Sequence, residues 1–329
     1  MPFHSLQTAY KNTLIATRKG EKKLGTLLRS SPQAPDQTDW RDFPQKYVLL
    51  GLCEDIGVRA NLGRPGASRA YHAFLKSFLN QQVNDSVNPE ALLLGGFYFR
   101  DTELEEPDAL RNIVSTMDDE IADVVEAILR ADKVPILIGG GHNNAYPAMK
   151  GLYRASGKKL CILNFDAHTD CRSLEGRHSG NGFSYARHED FLESYWVVGL
   201  SEAYTSRALL DELKSWPDAH LVSFEQIYIR KSVSLDTILD RLEMLPDDPT
   251  HSMGLELDMD VIAGFPSSAM NPVGMPLEDV LYAVHRIAKN SQASYYHICE
   301  AAPPLAADGE RVVGRAMSAV VNQILTAKN

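Results

Sequence analysis

The apolar stretch Leu160-Cys-Ile-Leu-Asn-Phe165 passes directly into Asp166-Ala-His168-Thr-Asp170. This junction constrains the fold more than any other stretch. Its first part reads as a buried strand. Side chains at i, i+2 and i+4 of an extended segment point the same way. Asp166, His168 and Asp170 then converge just beyond the carboxyl end of a strand, where open α/β sheets place their ligands. Three such groups facing inward without a cation repel one another and are costly to desolvate, so a metal ion is their simplest partner. The competing reading is a solvated loop, since short D-x-H-x-D strings also arise by chance.

The rest of the chain repeats strand, loop and helix from Tyr47 onward. Strands are expected at Tyr47–Leu52, Ala91–Phe97, Val134–Ile138, Lys159–Phe165, Tyr195–Val198, His220–Ser223, Ser252–Leu257 and Ser294–Cys299. The clearest helices are expected at Asp108–Ala131, Ala145–Ala155, Ser234–Met244, Leu277–Lys289 and Val312–Ala327. Short strands alternating with helices imply a mainly parallel sheet covered by helices on both sides. Residues 1–45 are polar and read as an N-terminal arm, a helix and a link that packs over the main domain. Residues 46–329 read as one domain.

A formal net charge of −10 with no dense Lys/Arg run argues against nucleic acid or an anionic membrane as partner. No apolar run is long enough to span a bilayer, and Met1-Pro-Phe-His-Ser-Leu-Gln7 lacks an apolar signal core. Cys53, Cys161, Cys171 and Cys299 form no C-x-x-C pair and read as reduced thiols. A cytoplasmic protein is expected.

Three further strand ends carry similar chemistry. Val134-Pro-Ile-Leu-Ile-Gly-Gly-Gly-His142 runs into glycines that permit a tight turn and close approach to a ligand. Taken alone, His142 is more readily a helix-entry or packing residue than a ligand. Met253-Gly-Leu-Glu-Leu-Asp258-Met-Asp260 ends with two carboxylates on one face of extended chain. Tyr295-Tyr-His-Ile-Cys-Glu300 puts one acid after a late strand. Together, two His and four Asp make a ligand set for two divalent ions with bridging carboxylates. Oxygen-rich ligation with some imidazole suits Mn2+, with Zn2+, Fe2+, Co2+ and Ni2+ disfavoured rather than excluded. Two neighbouring ions can lower the pKa of a bridging water and deliver hydroxide at neutral pH.

The order G-G-x-H, D-A-H-x-D, D-x-D resembles the arginase–agmatinase–formimidoylglutamase superfamily, from about Gly51 to Glu300. The resemblance implies a three-layer α/β/α sandwich with a central, mainly parallel sheet and two Mn2+ per chain. It implies that His142, Asp166, Asp170 and Asp258 bind one ion and Asp166, His168, Asp258 and Asp260 the other, with Asp166 and Asp258 bridging. Hydroxide between the ions would attack an amidine or guanidine carbon. Gly51-Leu-Cys-Glu-Asp-Ile-Gly-Val-Arg-Ala-Asn-Leu-Gly-Arg-Pro-Gly-Ala67, Asp170-Cys-Arg172 and Ser179-Gly-Asn-Gly-Phe183 are similar to formimidoylglutamase runs. Ala263-Gly264 stands where arginases and agmatinases carry D-P, a pair that formimidoylglutamases also lack.

Some positions depart from the family pattern. Asn143-Asn144 follow His142, and Ala302 replaces the Asn of E-x-N-P. Phe183 and Ser184 stand where arginases supply a His, so His178 is weighed as proton shuttle against an ordinary loop residue. Asn181 is expected to bind substrate, Glu300 to hold a cationic head, and Arg59, Arg64 and Arg172 to offer donors for a substrate carboxylate, against the plainer reading of surface loop arginines. The expected function is hydrolysis of a linear amidine, N-formimidoyl-L-glutamate, to L-glutamate and formamide. The alternatives are a ureohydrolase releasing urea from agmatine, arginine, guanidinobutyrate or guanidine, and a non-catalytic, metal-stabilised subunit. A small-molecule amidine or guanidino partner and a homo-oligomer are expected.

Overall fold

The computed structural model describes residues 2–84, 87–243, 251–290 and 293–327. Among the described residues, ten strands form one sheet: β1 Phe3–His4, β2 Arg29–Ser30, β3 Tyr47–Cys53, β4 Leu92–Phe99, β5 Val134–Ile138, β6 Lys159–Phe165, β7 Leu192–Leu200, β8 Ala219–Ser223, β9 His251–Asp258 and β10 Tyr295–Cys299. Their order is β1-β4-β3-β5-β10-β9-β6-β7-β8, with β2 also on β4. Every pairing is parallel except β1 with β4.

Helices cover both faces, which is why the central strands are apolar almost throughout. Along β3, Leu49 belongs to one core cluster while Val48, Leu50 and Leu52 belong to the other, as alternation requires. On the Leu49 side the sheet meets helices Ala70–Phe78, Leu277–Asn290 and Gly309–Thr326, through Phe74, Val284 and Val320. On the opposite side it meets helices Pro107–Arg130, Ala145–Ser156 and Gly182–His188, through Ile121, Met149 and Phe183. Helix Pro107–Arg130 starts with Pro at its first turn and Asp108 beside it, both suited to a helix amino end. Its buried stripe, Leu110, Val114, Met117, Ile121, Val125 and Ile128, repeats every three or four residues. Each such side chain contributes about 1.5–3 kcal/mol relative to exposure.

The expected three-layer sandwich with a mainly parallel sheet is the architecture found. Each expected strand and helix is present, its ends shifted by up to three residues; Met244, the expected end of one helix, lies outside the described residues. Not anticipated were the two-residue strands β1 and β2, which place parts of residues 1–45 on the edge strand β4. Phe3 pairs with Tyr98 and Ser30 with Leu94. Helices Ile56–Ala60, Ala70–Phe78, Gly182–His188 and Arg207–Ser215 were also not singled out.

Strands β5, β10, β9 and β6 are consecutive neighbours at the middle of the sheet. Their carboxyl ends therefore bring His142, Glu300, Asp258 and Asp166 side by side.

Candidate metal centre

Beyond β6, Asp166 is fixed before any cation is considered. Its Oδ1 accepts the His168 backbone N–H at 2.6 Å, and its Oδ2 accepts Asn164 Nδ2 at 3.0 Å. Asn164 Nδ2 also lies 2.9 Å from the Tyr195 hydroxyl, which donates to the Thr169 carbonyl at 2.9 Å and anchors the loop. Asp170 sits at φ 45°, in the left-handed region. Glu300, at the end of β10, has φ 61°. Non-glycine residues in this region collect at functional sites. The Glu300 N–H donates to the Gly140 carbonyl at 3.0 Å, and its Oε1 accepts the His142 N–H at 2.8 Å.

Gly139 and Gly140 have φ of 90° and 72°. That turn carries His142 under the ends of β6 and β9. Its Nδ1 lies 2.7 Å from Asp170 Oδ2 and 3.3 Å from one oxygen each of Asp166 and Asp258. The ring edge meets Phe183 at 5.4 Å between centroids. His168 presents Nδ1 to Asp260 Oδ2 at 3.0 Å. Ligand atoms of His142, Asp166, Asp170 and Asp258 lie within 4.8 Å of one another, as do those of Asp166, His168 and Asp260. Asp166 is thus common to both groups. Asp258 joins the first of these two groups at that spacing, and its Oδ1 accepts the Asp260 N–H at 2.8 Å.

The electrostatics call for positive charge. Asp258 and Asp170 are pushed up first by burial and then by neighbouring carboxylates. Burial opposes charge on His168, yet Asp260 and Asp166 lift it to about 12. Burial pushes Glu300 up to about 8. His142 Nδ1 and Nε2 and Asp260 Oδ1 are buried with no hydrogen-bond partner. Oxygen-rich groups with orphaned imidazole nitrogens fit divalent first-row ions.

A crevice of about 240 Å³ opens over these groups, lined by His168, Asp170, Asp258, Asp260 and Glu300 with Arg172, Asn61, Ser179 and Tyr204. Arg172 is exposed there, and its guanidinium has no hydrogen bond or ion pair to a described residue. Four other expected residues are not among those lining the crevice. His178 is buried: its Nδ1 accepts the Gly180 N–H at 3.1 Å and its Nε2 faces Glu175 at 3.1 Å. It caps a turn, with both ring nitrogens engaged by neighbours. Asn181 is buried, its Oδ1 accepting Arg177 Nη1 and the His178 N–H, its Nδ2 donating to the Ser173 and Gly176 carbonyls. No group remains for substrate. Arg64 donates Nε to the Ser268 carbonyl and Nη2 to that of Ser267, and so ties two loops together. Arg59 donates to the Thr102 and Leu104 carbonyls, outside the crevice.

Sequence reasoning missed three buried supports. Glu54 accepts from the Ile56 N–H, the Gly141 N–H and the Asn143 and Asn144 side chains, bracketing His142. Arg177 joins Asp118, Asn181 and the Asn143 carbonyl. Glu256 accepts from Tyr295 and meets His297 inside the sheet. A charged residue within an apolar strand was the available signal for Glu256.

A sequence model of the arginase family matches residues 45–326. Formimidoylglutamase of Rhodococcus opacus is 27% identical over 295 residues, covering 87% of either chain. That of Klebsiella pneumoniae is 27% identical over 307 residues, covering 87% of this chain and 86% of its own. Among solved structures, formimidoylglutamase from Bacillus subtilis superposes with a TM-score of 0.78 at 20% identity, over 95% of this chain and 93% of its own. Trypanosoma cruzi formiminoglutamase, solved with Mn2+, gives 0.72 at 19% identity over 93% and 99%.

Proposed function

The chain belongs to the arginase family, and on that premise we propose that it is a binuclear manganese hydrolase of linear amidine C–N bonds. N-formimidoyl-L-glutamate is its substrate, and L-glutamate and formamide are the products. The observation that carries this reading is the convergence of six potential ligands and Glu300 on one crevice at the carboxyl ends of four adjacent strands.

His142 through Nδ1, with Asp166, Asp170 and Asp258, would hold one ion. Asp166, Asp260 and His168 through Nδ1 would hold the other. When bound, such a pair supplies an acidified water as nucleophile at neutral pH. The remaining work belongs to this chain. Glu300 keeps Oε1 on the His142 N–H, so Oε2 is the oxygen available for a cationic amidinium, whose charge would favour the ionised carboxylate against the burial that pushes it up. Arg172 stands in the same crevice as the donor for a substrate carboxylate, and the guanidinium fork suits that group. The names of the curated relatives support the choice of substrate.

A product assay on Mn2+-loaded protein tests the reading. Formamide and glutamate are expected from N-formimidoyl-L-glutamate. Urea from agmatine, arginine or guanidine, with formimidoylglutamate untouched, would overturn the substrate assignment.

A further inference from the structure

His142 has two ring nitrogens with different tasks. Its Nδ1 points at the oxygens of Asp166, Asp170 and Asp258, so metal ligation requires a lone pair there and a proton on Nε2. That proton faces into the sheet, away from solvent. Glu256 Oε2 faces it at 3.5 Å, a separation at which no hydrogen bond is yet formed, and Cys299 Sγ stands within 4.8 Å of the imidazole.

Glu256 is itself held from two sides. It lies on β9 two residues before Asp258, on the same face and one pleat deeper. The pairing of β9 with β10 sets His297 directly opposite, and His297 Nδ1 meets Oε2 at 2.6 Å. The Tyr295 hydroxyl donates to Oε1 at 2.6 Å. Tyr295 reaches it because its ring lies over Gly254, where an added Cβ would stand 2.3 Å from the ring. Glu256, His297, Tyr295 and His142 are all buried. A carboxylate fully inside a sheet is costly to desolvate, and partners on two sides offset that cost. A neutral side chain would bridge these strands without it.

We propose that Glu256 is a positioning residue: it accepts the Nε2 proton of His142, fixing the tautomer and ring orientation in which Nδ1 binds the ion shared with Asp166, Asp170 and Asp258. His297 and Tyr295 hold the carboxylate in place for this. The inference rests on the binuclear reading above. Carboxylates behind metal-bound imidazoles raise ligand basicity, and their loss typically lowers affinity about 10–100-fold.

The test is calorimetric titration of Mn2+ into wild type, Glu256→Gln and Tyr295→Phe, with thermal melts of each metal-free protein and kcat and KM at saturating Mn2+. Wild type binding fewer than two ions would defeat the binuclear reading itself. With two ions bound to wild type, Glu256→Gln is expected to weaken one of them about 10–100-fold and the other less than about threefold. Much of kcat should return at saturating Mn2+, with KM little changed. If Glu256→Gln folds and both affinities match wild type, the inference is overturned. If it does not fold, Tyr295→Phe decides: selective weakening of one ion supports the role, and unchanged affinities refute it. A residue that only braced β9 against β10 would lower the melting temperature without separating the two affinities.

Discussion

At the scale of single residues, the chemistry of the site is periodic. Asp166, His168 and Asp170 alternate along extended chain, as do Asp258 and Asp260. Asp166 belongs to both ligand groups whereas His142 belongs to one. Asp166→Asn should therefore reduce bound Mn2+ from two ions toward none, while His142→Ala should retain one, as metal analysis after gel filtration would show. Glu300→Gln should leave metal content intact and lower kcat/KM by roughly tenfold to a hundredfold, since a charge-assisted hydrogen bond contributes about 1.5–3 kcal/mol. Unchanged kcat/KM would remove Glu300 from substrate binding. Arg172→Ala should raise KM for the dicarboxylate substrate, and Arg64→Ala should act mainly through loop stability, because Nε and Nη2 are engaged by the Ser268 and Ser267 carbonyls. The substrate residues were poorly legible for that reason. Whether a polar side chain faces a ligand or is filled by neighbours depends on contacts across long sequence separations, as Asn181 and His178 demonstrate.

Elements were legible where hydrophobic period and length agreed. Helix Pro107–Arg130 runs 24 residues with a continuous buried stripe, and its extent was read to within one residue at each end. The two-residue strands at Phe3 and Arg29 carry no period at all. They exist because β4 offers an unpaired edge, a property of the assembled sheet. The long helix also gives a stability prediction. Ile121 is fully buried against the sheet, so Ile121→Ala should cost about 2–5 kcal/mol in urea unfolding. Metal stoichiometry should not change, because the helix covers the sheet without lining the crevice. A loss below about 0.5 kcal/mol would mean the site collapses around the deletion, contrary to the packing found.

At the scale of the whole molecule, sequence order hides what pairing creates. His142, Asp166, Asp258 and Glu300 are spread over 158 residues between His142 and Glu300, yet they meet because β10 and β9 insert between β5 and β6. That insertion cannot be read from any one strand. The turn beside the site was likewise hidden, and it links the fold to pH. Burial holds the His178 imidazole down to about 4, against the pull of Glu175, from an ordinary value of 6.5. Since the folded value lies below the unfolded one, the unfolded chain binds more protons between those limits. Stability from this group is then fully present above about pH 6.5 and is lost as pH falls toward 4. Asn can still accept the Gly180 N–H but does not titrate. With chelator present, so that metal release contributes equally to neither protein, His178→Asn should show a smaller loss of unfolding free energy between pH 7 and pH 4.5 than wild type. Parallel losses in the two proteins would show that His178 is not protonated on unfolding, and that the acid sensitivity resides in the carboxylates instead.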